Sequence, residues 1–328
     1  MKRRTSSPST YGRENALRVR KAYKLNMLIL PLGIILSVVI CYLYLVWGIS
    51  SEWVLVKVRL PRFMLTLLTG MILAGVGSTY QMMLNNPLAE PYILGISAGG
   101  AFFATVAIVT GAAVLMPLYG FGGAILTMII VWTLSHARGY FDKVKLILSG
   151  IIAGMFFSAC LSLLMYLNQQ DLSVIINILM GNLGHIFSNA EWSVFLVLFF
   201  LSLFLLLYLL LAANKLNIIT SGDLAATTLG VDVKNLRKSI FFVSSILTGI
   251  TVAYAGIIGF VGLIVPHMVR LRFGADQRMV FPLSIWGGAI FLLICDFLAM
   301  HLTTLELPVG IITAFIGCPL FVYLMIKK

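Results

Sequence analysis

Charge is what this 328-residue chain has least of. Only 10% of its side chains are charged, against about 25% in a typical soluble domain. Hydrophobic residues fill 60% of the positions and the mean hydropathy is +1.04. No water-exposed fold can hide that much apolar surface, so the bilayer is the solvent, with room for roughly ten spans of about 20 residues. Several chemical signatures are missing as well. There is no GxxxxGK[ST] phosphate loop, no GxGxxG after a strand and no HExxH. The four cysteines, Cys41, Cys160, Cys295 and Cys318, each lie in an apolar run and form no CxxC pair. The four histidines are scattered. These absences speak against an enzyme, a metal centre or a cofactor held by this chain.

What charge there is has a pattern. The net charge of +12 comes from basic residues at the edges of apolar runs, where they set orientation rather than bind nucleic acid. A polar, basic stretch at 1–25 reads as a cytoplasmic tail with no cleavable signal peptide. The rest, 26–328, reads as one transmembrane domain. Apolar spans are expected near 26–48, 61–82, 93–109, 112–134, 146–167, 192–212, 238–257, 258–270, 281–300 and 308–326. With both termini inside and ten crossings, 20 of the 23 Lys and Arg residues face the cytoplasm; Lys57, Arg59 and Arg62 do not. The stretch 258–270 is short for a helix of ~1.5 Å rise per residue, which predicts a tilted or broken crossing covered by protein or lining a cavity.

The sequence also repeats. LLTGMILAGVG at 67–77 aligns with ILTGITVAYAG at 246–256, matching Leu68, Thr69, Gly70, Ala74 and Gly77 to Leu247, Thr248, Gly249, Ala253 and Gly256. The same offset carries Pro87 onto Pro266. In the expected topology the two copies run in opposite senses, the inverted arrangement that transporters use.

Five features are candidates for function. Gly150, Gly154, Ser158 and Ser162 recur every four residues on one helix face, which suits either close helix packing or a narrow polar lining. The amphipathic segment 168–191 is either an outer gate or a cap. The loop 213–237 contains Ser221-Gly222-Asp223-Leu224-Ala225, then Leu229-Gly230-Val231. Ser221 or Asp223 can N-cap a short helix there and Gly230 can end it, making a knob for a partner or a plain connector. Asp296 in the ninth span needs a structural partner or a role in proton coupling. Arg59 and Arg62 sit three apart on the outer side, a pair that invites an acidic partner.

RLPR (59–62), NNPLAEPYILGISAGG (85–100), SGDLAATTLGV (221–231), GFVGLIVPHMVR (259–270) and ELPVGIITAFIGCPLFVYL (306–324) together resemble the FecCD family. These are permease subunits of type II ABC importers for ferric siderophores, haem and vitamin B12. The resemblance implies an all-α protein of ten membrane helices, paired with a second copy of itself in the prokaryotic cytoplasmic membrane. It implies two cytoplasmic ATPase subunits that use the ATP, and an extracytoplasmic substrate-binding protein. Residues 221–231 are then the ATPase-coupling loop. Arg59 and Arg62 are docking residues for the binding protein, and Asn86 and Leu88 pinch the inner end of the path. The family commonly has another arginine after the motif around Asp296; here Met300 stands there, with His301 beside it. A ferric siderophore is the expected cargo because that is the commonest family use, with haem, cobalamin or an oxyanion as alternatives. From another class, a stand-alone ion-coupled carrier is the competing reading.

Overall fold

The computed structural model describes residues 31–48, 51–135 and 142–326. The basic tail at 1–25, Arg138, Lys327 and Lys328 lie outside the described residues. The chain forms two compact units divided after Gly48. The first has one described helix, α1 (Pro31–Val46). Its Ser37 hydroxyl donates to the Gly33 carbonyl at 2.7 Å, satisfying a polar group within the helix.

The second unit, Ile49–Lys328, is all-α among its described residues, with eleven α-helices joined by loops and turns. They are α2 (Glu52–Met83), α3 (Ile96–Val109), α4 (Met116–Ser135), α5 (Lys143–Leu167), α6 (Leu172–Leu179) and α7 (Asn189–Thr220). After these come α8 (Asp223–Thr228), α9 (Val233–Ala255), α10 (Val261–Phe273), α11 (Gln277–His301) and α12 (Val309–Ile326). Among the described residues, six helices are long and apolar enough to cross a membrane: α2, α4 with the turn before it, α5, α7, α9 and α11. The protein is a multi-pass membrane protein. Helices α1, α3 and α12 are apolar but shorter.

Local chemistry sets the helix starts. Asp142, Asp232 and Asp276 each accept a backbone N–H at the head of α5, α9 and α11. Ser188 and Glu191 form a reciprocal capping box on α7. One five-residue π turn, Leu55–Arg59, lies near the start of α2.

Small residues set the crossings. Helix α2 packs along α11, α10 and α9, and α3 along α4. A Cβ on Gly70 would overlap the Gly288 backbone of α11, and one on Gly77 would overlap the Gly262 carbonyl of α10. In the second copy of the repeat, Gly249 faces Ala124 of α4. Leu68, Thr69 and Ala74 are buried, as are Leu247, Thr248 and Ala253.

Two expected spans are corrected. The run at 93–109 is broken: Pro91–Leu94 is a 3₁₀ turn, Gly95 takes φ 72°, and α3 begins only at Ile96. The run at 258–270 begins late, because 256–259 is irregular and Phe260 takes φ 71° ahead of α10. These two irregular stretches cover one another. Tyr92 Oη accepts the Ile258 N–H at 3.1 Å, the Glu90 carboxylate accepts the Phe260 N–H, and the Pro91 ring sits against Gly262. Non-helical backbone at membrane depth persists only under such cover.

Replacing Gly77 by Ala should force α2 and α10 apart, costing about 1–3 kcal/mol or more. Gly122→Ala, whose Cβ meets nothing within 4 Å, should be silent. Thermal unfolding of the two variants in detergent checks this.

Candidate functional site

Helix α9 spans about 35 Å at 1.5 Å rise per residue. Its first turns hold one candidate cluster, and its last residue lies near the other.

At the α9 start lies α8, a helix of only six residues. The expected cap is corrected: Gly222 occupies the N-cap with φ 109°, and the Ser221 side chain makes no cap. Asp223 does not cap either. Its carboxylate takes two hydrogen bonds from Arg237 of α9, at 2.5 and 2.6 Å. This fork is bidentate and directional. The Arg237 side chain is only 4% exposed. The Arg237 hydrogen bonds hold the Asp223 carboxyl below the usual carboxylate range, burial pushes the other way, and the charges of Arg237 and Lys143 add to the lowering. Lys143, first in α5, thus interacts electrostatically with the pair. Ala226 is buried beneath α8 and Ala225 is half-buried, while Leu224 is 85% and Leu229 68% exposed. Gly230, at φ 79°, ends the helix as expected, and the Val231 N–H returns to the Ala226 carbonyl at 3.0 Å. The sequence reading missed Arg237, because a partner fourteen residues away across a turn has no local signature.

A short loop, 84–90, follows α2. Asn85 takes φ 53° and the Asn86 N–H reaches the Gln81 carbonyl at 3.0 Å. That αL cap stops the helix, so Pro87 is not what ends it and Pro91 opens a turn rather than closing one. The Asn86 side chain accepts the Leu88 N–H at 3.0 Å, and Leu88 is 52% exposed. Nearby, Arg270 bonds Gln81 and the Ser78 carbonyl. Gln277 donates to Ser78 Oγ at 2.6 Å, and its N–H goes to Asn217 at 2.8 Å. These links lock α10, α11 and α7 to α2.

Of the four-residue stripe on α5, Gly150 is buried against Leu94 and Gly154 rests on Gly95. Ser158 and Ser162 are exposed. The stripe divides into a packing half and an open half. Beside the break at 256–260 lies an apolar cavity of about 380 Å³ lined by Met180, Phe260, Gly310, Ile311 and Phe315.

At the far end, Asp296 has its partner. Arg62 Nε and Nη2 donate to the two Asp296 oxygens at 3.0 and 2.9 Å, and Thr66 adds a hydrogen bond. Arg62 Nη1 donates to Glu306 at 2.7 Å. Arg62 is buried, so its acidic partners come from its own chain, where the sequence reading sought them on another protein. Arg59, half-buried, points Nη1 at Met300 Sδ, 3.6 Å away. Both arginines therefore lie along one face of α11, as their spacing predicts. Glu306 was legible only as part of a motif; its pairing spans 244 residues.

The loop 180–188 closes this end. The Asn182 N–H donates to the Ala255 carbonyl, and the Val309 and Gly310 N–H groups donate to Gly181 and Met180, each at 3.0 Å. Gly184 lies beside Arg62 and Glu306. His185 packs on Phe187 and Tyr254, with its Nε2 4.0 Å from Glu191.

A polytopic helical bundle with broken helices pressed together at glycines is a membrane transport architecture. The model of the FecCD transport family matches residues 25–327, and the chain belongs to that family. The hemin transport system permease protein HmuU of Yersinia pestis is 37% identical over 86% of this chain and 87% of its own length. The vitamin B12 import system permease protein BtuC of Vibrio parahaemolyticus is 36% identical over 86% and 85%. A solved structure described as a metal-chelate type ABC transporter in an inward-facing conformation is 32% identical, with a TM-score of 0.83 over 92% of this chain and 99% of that one. The chain is a transport permease of the ABC importer kind.

Removing Arg62 strands a buried carboxylate. Arg62→Met should destabilise the fold by about 3–5 kcal/mol, and the double change with Asp296→Leu should cost less. Thermal melts of both variants check this. Burial holds the His185 imidazole below its ordinary 6.5, with Glu191 pulling back upward. An unfolded chain then binds that proton first, so this contribution to stability is intact above pH 6.5 and falls below it. The melting temperature of His185→Gln should drop less than wild type between pH 7.5 and 5.5.

Proposed function

We propose that this chain is the membrane subunit of an ATP-driven importer for a metal chelate, acting as a homodimer with ten crossings per copy and both termini in the cytoplasm. The observation that carries the reading is α8. A six-residue helix and the residue that caps it present Leu224 and Leu229 to solvent, while a charge-assisted fork pins its first residue. Exposed leucines on so short and rigid a knob suit the groove of a soluble partner. That partner is the ATPase, two per dimer, which bind and hydrolyse the ATP; this chain holds no cofactor. Residues 221–231 couple it to the bundle.

The opposite end, with Arg59, Arg62 and the loop 180–188, faces a substrate-binding protein. Half-buried Asn86 and exposed Leu88, beside the inner mouth, narrow the path. Ser158 and Ser162 line it, and the Gly150–Gly154 contact with Leu94–Gly95 holds α5 in place. A second copy covers the α12 face that carries Phe315. The halves carrying Gly70 and Gly249 form an inverted repeat.

For cargo, a ferric siderophore is our first assignment, and haem or cobalamin, the cargoes in the names of two relatives, are the alternatives. A stand-alone proton-coupled carrier is disfavoured, because the fully buried carboxylate Asp296 is committed to Arg62.

Vesicles containing this chain with its ATPase and binding protein should take up the chelate only with ATP. Equal uptake without the ATPase defeats the proposal. The ligand held by the co-purifying binding protein identifies the cargo. Leu224→Asp combined with Leu229→Asp should lower ATPase co-purification at least tenfold and leave the bundle folded.

A further inference from the structure

We infer that Arg237 is the positioning residue that makes α9 a push-rod between α8 and the loop at the opposite end. The inference rests on the reading of α8 as the ATPase contact. Its support is a continuous physical connection.

Consider how α8 is held. On the α7 side, Ser221 and Gly222 join it, and Gly222 at φ 109° has nothing within 4 Å of a built Cβ. Their N–H groups bond the Ile218 and Ile219 carbonyls at 3.1 Å, so this joint is backbone alone, with no side chain at Gly222 to brace it. Toward α9 the link is stiffer. The Val231 N–H closes on Ala226, and Asp232 caps α9 through the Asn235 N–H at 3.1 Å. Asp223 is the end of α8 farthest from the Val231 closure, so rotation about that closure displaces it most. The Arg237 fork holds that swinging end, from the second turn of α9, with two hydrogen bonds in one plane. A push on Leu224 and Leu229 therefore moves α9 rather than folding α8 at Gly222.

Helix α9 is uninterrupted for 23 residues, and a rigid element carries displacement along its length. Its other end meets backbone as well as the ring contacts of Tyr254 with His185 and Phe187. The Asn182 N–H donates to Ala255. A Cβ on Gly256 would overlap the Ile178 carbonyl of α6, and one on Gly181 would press on Ile257 and Ile258. Gly181 and Met180 in turn accept the first N–H groups of α12. Movement of Ala255 therefore reaches α6 and α12 together.

The test uses the full complex with its ATPase in nanodiscs. It reads four quantities: assembly, ATP hydrolysis, transport per ATP, and the ATP-dependent change in hydrogen exchange of amides 178–184. In Arg237→Gln, assembly should persist and hydrolysis stay within about twofold of wild type. Transport per ATP and the exchange change should each fall at least fivefold. Asp223→Asn, altered on its exposed side, should give the same loss if Arg237→Gln does not fold. Exchanging the charges, Asp223→Arg with Arg237→Asp, should recover part of both. Wild-type transport per ATP and a wild-type exchange change in either folded single variant overturn the inference. ATP-independent transport by the wild-type complex would instead strike the reading of α8 itself.

Discussion

Everything in this bundle answers to one constraint: lipid cannot hydrogen-bond a peptide group, so each interruption of a helix must find its partner inside the protein. The interruptions at 84–95 and 256–260 meet this by facing each other. Tyr92 takes the Ile258 N–H, Glu90 takes the Phe260 N–H, and Pro91, which has no N–H to satisfy, fills the space against Gly262. Glycine is required where backbones touch. At Gly95 it is required twice, by a positive φ and by the overlap a Cβ would make with Gly150.

The two ends of the bundle use charge differently. At the Arg62 end the ions are inward: a buried guanidinium binds one buried and one exposed carboxylate, tying α2 to α11 and to the segment ahead of α12. At the Asp223 end a buried arginine reaches outward to hold an exposed element in place. The first arrangement fixes packing. The second fixes the pose of a surface helix beside two largely exposed leucines, Leu224 and Leu229.

Much of this was legible in the chain itself. Apolar length and basic edges located the long helices, because hydropathy is local. The short helix after Gly222 and its end at Gly230 followed from turn chemistry. The need of Asp296 for a partner followed from its cost in a span. Its identity did not, because Arg62 lies 234 residues away. The same distance hid Glu306 and the Tyr92–Ile258 link. Capping rules pointed Asp223 at its own helix, where tertiary competition with Arg237 won. Sequence spacing grouped Gly150 with Ser162, but the turn at Leu94–Gly95 reaches only the first half of that stripe.

The length of α7 has a further consequence. Its 32 residues extend about 48 Å, well beyond the ~30 Å hydrocarbon layer. With Trp192 at one lipid–water boundary, the apolar stretch is spent near Ala212, and Asn214, Lys215 and Asn217 continue past it. The last eight residues lift their end roughly 12 Å clear of the acyl chains, beyond most of the ~5–7 Å headgroup zone. On that placement Leu224 and Leu229 would stand in water, out of reach of the acyl chains.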